Sequence, residues 1–290
     1  MGKIVGGFWM PHDPVMFVAP NAPPEPQREA VWDAYNQCAE RLAALQPTSV
    51  IIVGCDHYIL FGTHCLPRYV IGTGDVDGPI DRLPGLAREQ VPNHQRLAGH
   101  IVEHAQAQGI DWTVARSFTV DHSFSIPHQL VVKPAQALLG RELPTIPVYL
   151  ACGVDPYITL PRAADLGRQI RAAVESFAEH ERVVIIGSGG ISHWVGTVEM
   201  GLVAEDFDQE ILRHGINGDL QALCAYSDAE ILRRAGNGAM EIRNFVCAMA
   251  ALDRPQGEVI AYEAVPAWVA GLGFVQLKEA EHEPHFALPT

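Results

Sequence analysis

Residues 50–53 read Val-Ile-Ile-Val, four β-branched side chains in a row with no polar alternation. Such a run is stable as a strand only where both of its faces are covered, the situation of a central strand in a sheet that carries helices on each side. The same composition returns at 183–186, and shorter β-runs stand at 4–5, 112–115 and 147–150. Between them the spacing of apolar residues predicts helices over about 28–45, 94–108 and 163–179, with edge strands near 259–265 and 274–277. Alternation of this kind predicts an α/β fold: a single domain over 1–279, built on a central, mostly parallel or mixed β-sheet flanked by helices. The Gly-, Asp- and Pro-rich stretch 72–92 reads as a long functional loop, and 280–290 as a mobile tail.

The strand at 50–53 does not end as a buried strand should. Gly54 and Cys55 lead directly into Asp56 and His57. The pattern recurs: His12 follows a short β-run and two glycines, His193 follows 183–186 and the turn GSGG, and His122 and His128 lie beyond the run at 112–115. Ligand sites in open α/β sheets form outside the carboxyl ends of the strands, so histidines mounted there converge on one rim. The other eight of the 13 histidines have no such placement and read as surface or singly hydrogen-bonded groups. GSGG at 187–190 has neither GxGxxG spacing nor a P-loop lysine, which favours a tight turn beneath His193 over a phosphate cradle.

A carboxylate partner is offered by AGNGAMEIRNFVCAMAAL, where Asn237 is placed to cap a helix running to about Leu252 and Glu241 falls on its apolar face. A carboxylate there must be paired or bound to a metal. One reading is a salt bridge near Arg243 or Arg116; the other is a metal site, since two histidines and a carboxylate form the facial triad of non-haem Fe(II) oxygenases. Residue types alone leave zinc, and therefore a hydrolase activating water, equally open, with a non-catalytic metal-binding protein as a third class.

Composition removes other classes. With 20 basic against 34 acidic residues and a formal charge of −14, the chain does not suit a nucleic-acid or anionic-membrane surface. Its six cysteines show no CxxC spacing, and the N-terminus carries no signal-peptide pattern, so a cytoplasmic protein with reduced thiols is expected.

The motifs MPHDP, DH at 56–57, VDHSFSIP at 120–127, RAAVESFAEHERVVIIGSGGISH at 171–193 and LRRAGNGAMEIRNFVCAMAAL at 232–252 resemble the class III extradiol ring-cleaving dioxygenases, of the kind found in the β-subunit of protocatechuate 4,5-dioxygenase. The resemblance covers nearly the whole chain. It implies that His12, His57 and Glu241 bind Fe(II), that His193 is the acid–base residue, and that His122 contacts substrate or oxygen. It further implies O2 and a dihydroxylated aromatic molecule as reactants, and either a homo-oligomer or assembly with a small lid subunit. His128 stands where similar proteins carry an apolar residue, so it is expected to contact the substrate, with Lys133 and Arg116 as further cations for an anionic ring substituent.

Overall fold

The run at 50–53 lies inside a nine-stranded sheet in the computed structural model, which describes residues 1–280. The expected tail, apart from Ala280, lies outside the described residues. The strands are β1 (Lys3–Met10), β2 (Ser49–Cys55), β3 (Tyr69–Gly78), β4 (Glu89–Val91), β5 (Thr113–Thr119), β6 (Thr145–Leu150), β7 (Arg182–Ser188), β8 (Pro255–Val265) and β9 (Ala270–Glu279). Their order is β4-β3-β6-β2-β7-β1-β9-β8, with β5 paired to β3. The centre, β6-β2-β7-β1, is parallel, while β9, β8 and the β3–β6 and β3–β4 pairings are antiparallel, so the sheet is mixed.

Every residue of β2 is buried. Val50 and Ile52 join the core beneath the helices Glu25–Ala44 and Lys133–Leu139, whereas Ile51, Val53 and Cys55 join the core beneath Gln95–Ala107, Leu160–Ser176 and Ile242–Ala250. Burying each such aliphatic side chain stabilises the fold by about 1.5–3 kcal/mol, which is why this strand is apolar without alternation.

Two expectations are corrected. The stretch 72–92 is not a loop throughout, because β3 occupies its first part and β4 its end. Its glycines serve close strand pairing: a Cβ on Gly72 would meet the Pro147 ring at 2.6 Å, and one on Gly74 would collide with the Arg116 carbonyl, at the register shift between β3 and β5. The helix expected from Asn237 instead begins as a 3-10 turn, Gly238–Glu241, followed by the α-helix Ile242–Ala250. Asn237 does not cap it; its side chain accepts from the Val195 N–H (2.8 Å) and donates to the Val195 carbonyl (3.0 Å), tying this turn to the segment after His193. Helices at Glu205–Asn217, Leu220–Ala225 and Asp228–Ala235 complete the connection between β7 and that turn.

The helix behind Glu241 is anchored to the sheet. The Trp9 indole of β1 donates to the Phe245 carbonyl (3.0 Å) and stacks on the Phe245 ring, and Asn244 donates to the Ser188 carbonyl at the end of β7 (2.8 Å). A Cβ on Gly187 would meet the Asn244 carbonyl at 2.6 Å, so only glycine lets β7 and this helix approach so closely.

Candidate active site and metal centre

Because β1, β2 and β7 run parallel, their carboxyl ends open on the same side of the sheet. His12 follows β1 by two residues and His57 follows β2 by two, and both reach Glu241 at the end of its 3-10 turn. The two Nε2 atoms lie 3.3 Å apart, and each is 3.2 Å from Glu241 Oε1. Glu241 Oε2 accepts from the Gly190 N–H at 2.8 Å. The glycine turn thus has a definite use: a side chain on Gly189 would press on Glu241 and one on Gly190 on the His193 ring.

The outer nitrogens of both rings are held. Ser188 Oγ donates to the Ser123 carbonyl (2.7 Å), so it accepts from His12 Nδ1–H (2.8 Å), and His57 Nδ1–H donates to Asp121 Oδ2 (2.9 Å). Asp121 is fully buried; burial opposes its charge, but the hydrogen bond and charge of His57, with His122 and the Ser123 hydrogen bond, together outweigh it and hold the carboxyl below its usual range. Tyr149 and Ser123 also satisfy its second oxygen. These partners fix both tautomers with Nε2 lone pairs facing inward, as is usual for metal-binding imidazoles.

Three acceptor atoms thus meet within 3.3 Å of one another, an arrangement that repels itself unless a cation or a proton lies among them. The spacing lets one ion with bonds of about 2.0–2.2 Å touch all three, so the donor set fits a divalent metal. Burial disfavours charge on His57, yet its hydrogen bonds to Asp121 and Glu241 raise it well above its ordinary value, so a metal competes there with a proton. Cys55 Sγ stands 3.6 Å from Glu241 Oε1, but the neighbouring Cys152 and then burial raise this thiol well above its usual range, and it stays protonated.

His122 opens the helix His122–Pro127, which Asp121 caps by accepting from the Ser123 N–H (3.0 Å). Its Nδ1 pairs with Asp81, its Nε2 is buried without a partner, and its ring lies 4.1 Å from that of His57. His193 Nε2 is 3.7 Å from Glu241 Oε2, and its Nδ1 is likewise buried and unpartnered. Burial lowers its pKa, so the ring is neutral at neutral pH. All five residues line one cavity of ≈ 260 Å³, walled otherwise by Asp13, Pro14, Val15, Gly190, Val195, Met200, Val269 and Ala270.

Other expectations fall elsewhere. His128 is buried behind the site, stacked on Phe124 and 3.7 Å from Glu89, and is absent from the cavity wall; burial drives its pKa down to about 3, so it is not a cation. Lys133 pairs with Glu89 at 2.6 Å, and Arg116 lines a separate groove with Thr73 and Glu103. Arg243 is occupied by Asp228 and the Met240 carbonyl, which removes the salt-bridge reading of Glu241. Sequence reasoning missed Asp121, Ser188, Asp81 and Asp13. For Asp121 and Asp13 a signal existed, since each directly adjoins a nominated histidine; Ser188 and Asp81 become visible only through tertiary contact.

Fold and site together describe an α/β protein with a candidate metal centre, in which His12, His57, Glu241 and two histidines with unpartnered ring nitrogens line one cavity. The chain belongs to the family described as the catalytic LigB subunit of aromatic ring-opening dioxygenase, whose sequence model matches residues 6–273. It is 27% identical to the 2,3-dihydroxyphenylpropionate/2,3-dihydroxicinnamic acid 1,2-dioxygenase of Photorhabdus laumondii, covering 91% of this chain and 94% of that protein. To the protein of the same name from Burkholderia vietnamiensis it is 28% identical over 83% and 87% of the two chains. The crystal structure of an uncharacterized protein from Escherichia coli K12 shares the fold, with a TM-score of 0.59 at 13% identity over 94% of this chain and 99% of that one. The protein is therefore a ring-cleaving dioxygenase and not a hydrolase. No helix among the described residues is long and apolar enough to cross a membrane.

Proposed function

We propose that the chain is an Fe(II)-dependent extradiol dioxygenase that opens catechol-like rings, with His12, His57 and Glu241 holding the iron and His193 and His122 serving the reaction. The observation that carries this reading is the triangle of acceptor atoms at 3.2–3.3 Å beside two buried imidazoles whose free nitrogens have no protein partner. When bound, iron supplies a site for both diol oxygens and for O2 and a route for electron density from ring to oxygen. Three protein ligands leave room for these molecules.

The chain's own residues handle protons and orientation. Neutral His193 takes a proton from the substrate hydroxyl and returns one as the ring opens. His122, with Nδ1 fixed by Asp81, is left with Nε2 to hydrogen-bond the substrate hydroxyl or oxygen. The apolar wall keeps bulk water from the reacting centre. Assembly with a second chain, another copy or a small lid subunit, belongs to this reading; exposed Val195, Val198 and Met200 on the segment that flanks the cavity support it. A cytoplasmic setting belongs to it too.

The test is metal analysis of anaerobically purified protein, followed by oxygen uptake with a panel of catechols after loading with Fe(II) or Zn(II). Uptake with Fe(II) alone is expected. Uptake with neither metal rejects the reading.

A further inference from the structure

The substrate must seat its ring substituent against the part of the cavity that does not touch the diol, and that part has an unusual polarity. Its walls are Val15, Val195, Met200, Val269 and Ala270, and its one polar side chain outside the proposed iron ligands and the two reacting histidines is Asp13. Asp13 is 7% exposed. Its Oδ1 accepts from the Val15 N–H at 2.8 Å, while Oδ2 is buried with no partner at all. A buried carboxyl oxygen without a donor is costly, so the site is built to receive one from a molecule that enters it.

The same wall offers no cation to a carboxylate. None of its described residues is lysine or arginine. Lys133 is spent on Glu89, Arg116 faces another groove, and His128 is stacked behind Phe124. An anionic substituent would lose its water against hydrocarbon and a carboxyl group, with no cation to compensate. In either protonation state Asp13 brings no positive charge. An amide, a hydroxyl or an amine would give Oδ2 its missing partner, and an alkyl group would lose little.

We propose that this cavity selects dihydroxylated rings whose substituent is uncharged or donates a hydrogen bond, in preference to rings bearing a carboxylate, and that Asp13 is a specificity-determining residue. The inference rests on the ring-opening reading and deepens it, and it sets this chain apart from the relatives named for dihydroxyphenylpropionate.

The experiment compares matched pairs on Fe(II)-loaded protein: 2,3-dihydroxyphenylpropionate against its primary amide, and 3,4-dihydroxybenzoate against 3,4-dihydroxybenzamide. Oxygen uptake gives kcat/KM, and anaerobic quenching of tryptophan fluorescence gives binding independent of turnover. The amide should exceed the acid by about tenfold or more in at least one pair by both readouts. Asp13→Leu should erase most of the amide's advantage over 3-methylcatechol; Asp13→Asn serves if that variant does not fold. Met200→Lys places a cation on an exposed part of the wall and should narrow the acid's deficit about tenfold. Acids used as well as amides by the unaltered protein, or a ratio that neither Asp13 nor Met200 substitution moves, overturns the inference while leaving ring opening intact. Turnover of none of these rings rejects both.

Discussion

His12 and His57 point Nε2 at Nε2 across 3.3 Å, and the partners of their outer nitrogens, Ser188 and Asp121, leave neither ring a proton to place between them in the metal-ready tautomers. The contact is unfavourable by itself. In those tautomers Glu241 Oε1, 3.2 Å from both, adds a third lone pair, which only a metal ion or a proton on an Nε2 relieves. This is a binding site held open by the sheet, so the ion adds stability when it binds and its ligands can be removed without dismantling the fold.

The first prediction follows from that independence. His57→Ala or Glu241→Ala should abolish tight iron binding, as measured by metal content after gel filtration, while circular dichroism remains that of the parent. The strand and helix that carry these residues are built by other side chains. Full occupancy with normal turnover in either variant would remove these residues from the metal site.

Asp121 and Ser188 give a graded version of the same effect. Each orients an imidazole that still has its lone pair when the partner is lost, so Asp121→Asn and Ser188→Ala should weaken iron binding about 10–100-fold without eliminating it. Competition with a chelator measures this. Affinities equal to the parent's would show that the rings are positioned by packing alone.

The central strands were legible because burial on both faces dictates an unbroken β-branched run, as in β2 and β7. The stretch over β3 was not, because Gly72, Gly74, Asp75 and Asp77 resemble loop composition while actually serving close pairing at a bulge. The histidines of the site were legible from one rule, their position just after strands. That rule misplaced His128, since six residues beyond His122 the chain has turned through a helix and buried the ring against Phe124. Asp13 and Asp121 adjoin nominated histidines, but adjacency in sequence does not say what either carboxylate bonds; that is visible only in the tertiary contacts.

Asp208 yields a prediction about stability and pH. It accepts from the Ser192 N–H and Oγ (both 2.9 Å) and from the Tyr262 hydroxyl (2.7 Å), clasping the segment that leads into His193. Burial, only partly offset by these hydrogen bonds, raises its pKa from 3.8 to about 6. The folded state therefore binds a proton in a range where the unfolded chain does not. Its contribution is fully present below about pH 4 and is lost as pH rises through about 6, by up to about 3 kcal/mol. Urea unfolding across this range should show the parent losing stability relative to Asp208→Asn by that order. Parallel stability curves would contradict the shift.

His193 provides the last prediction, in which metal binding and chemistry separate. The backbone pins it from both sides: its N–H donates to the Ala235 carbonyl (2.9 Å), and its carbonyl accepts from the Gly238 N–H (3.0 Å). A Cβ on Gly238 would collide with its ring, so that glycine sets how close the ring lies to Glu241. No ring nitrogen of His193 joins the cluster of ligand atoms; its Nε2 stands 3.7 Å from the other carboxylate oxygen, Glu241 Oε2. His193→Ala should therefore retain iron and still show a spectroscopic change on anaerobic catechol binding, while kcat falls about 10²–10⁴-fold. His193→Gln keeps a hydrogen-bonding side chain but cannot carry a proton at neutral pH, so it should be nearly as impaired. Gly238→Ala, by pushing the ring aside, should lower kcat more than it changes iron content. If the Gln variant turned over at the parental kcat with an unchanged pH profile, His193 would be a prop for the turn, and the proton would have to be carried by another group.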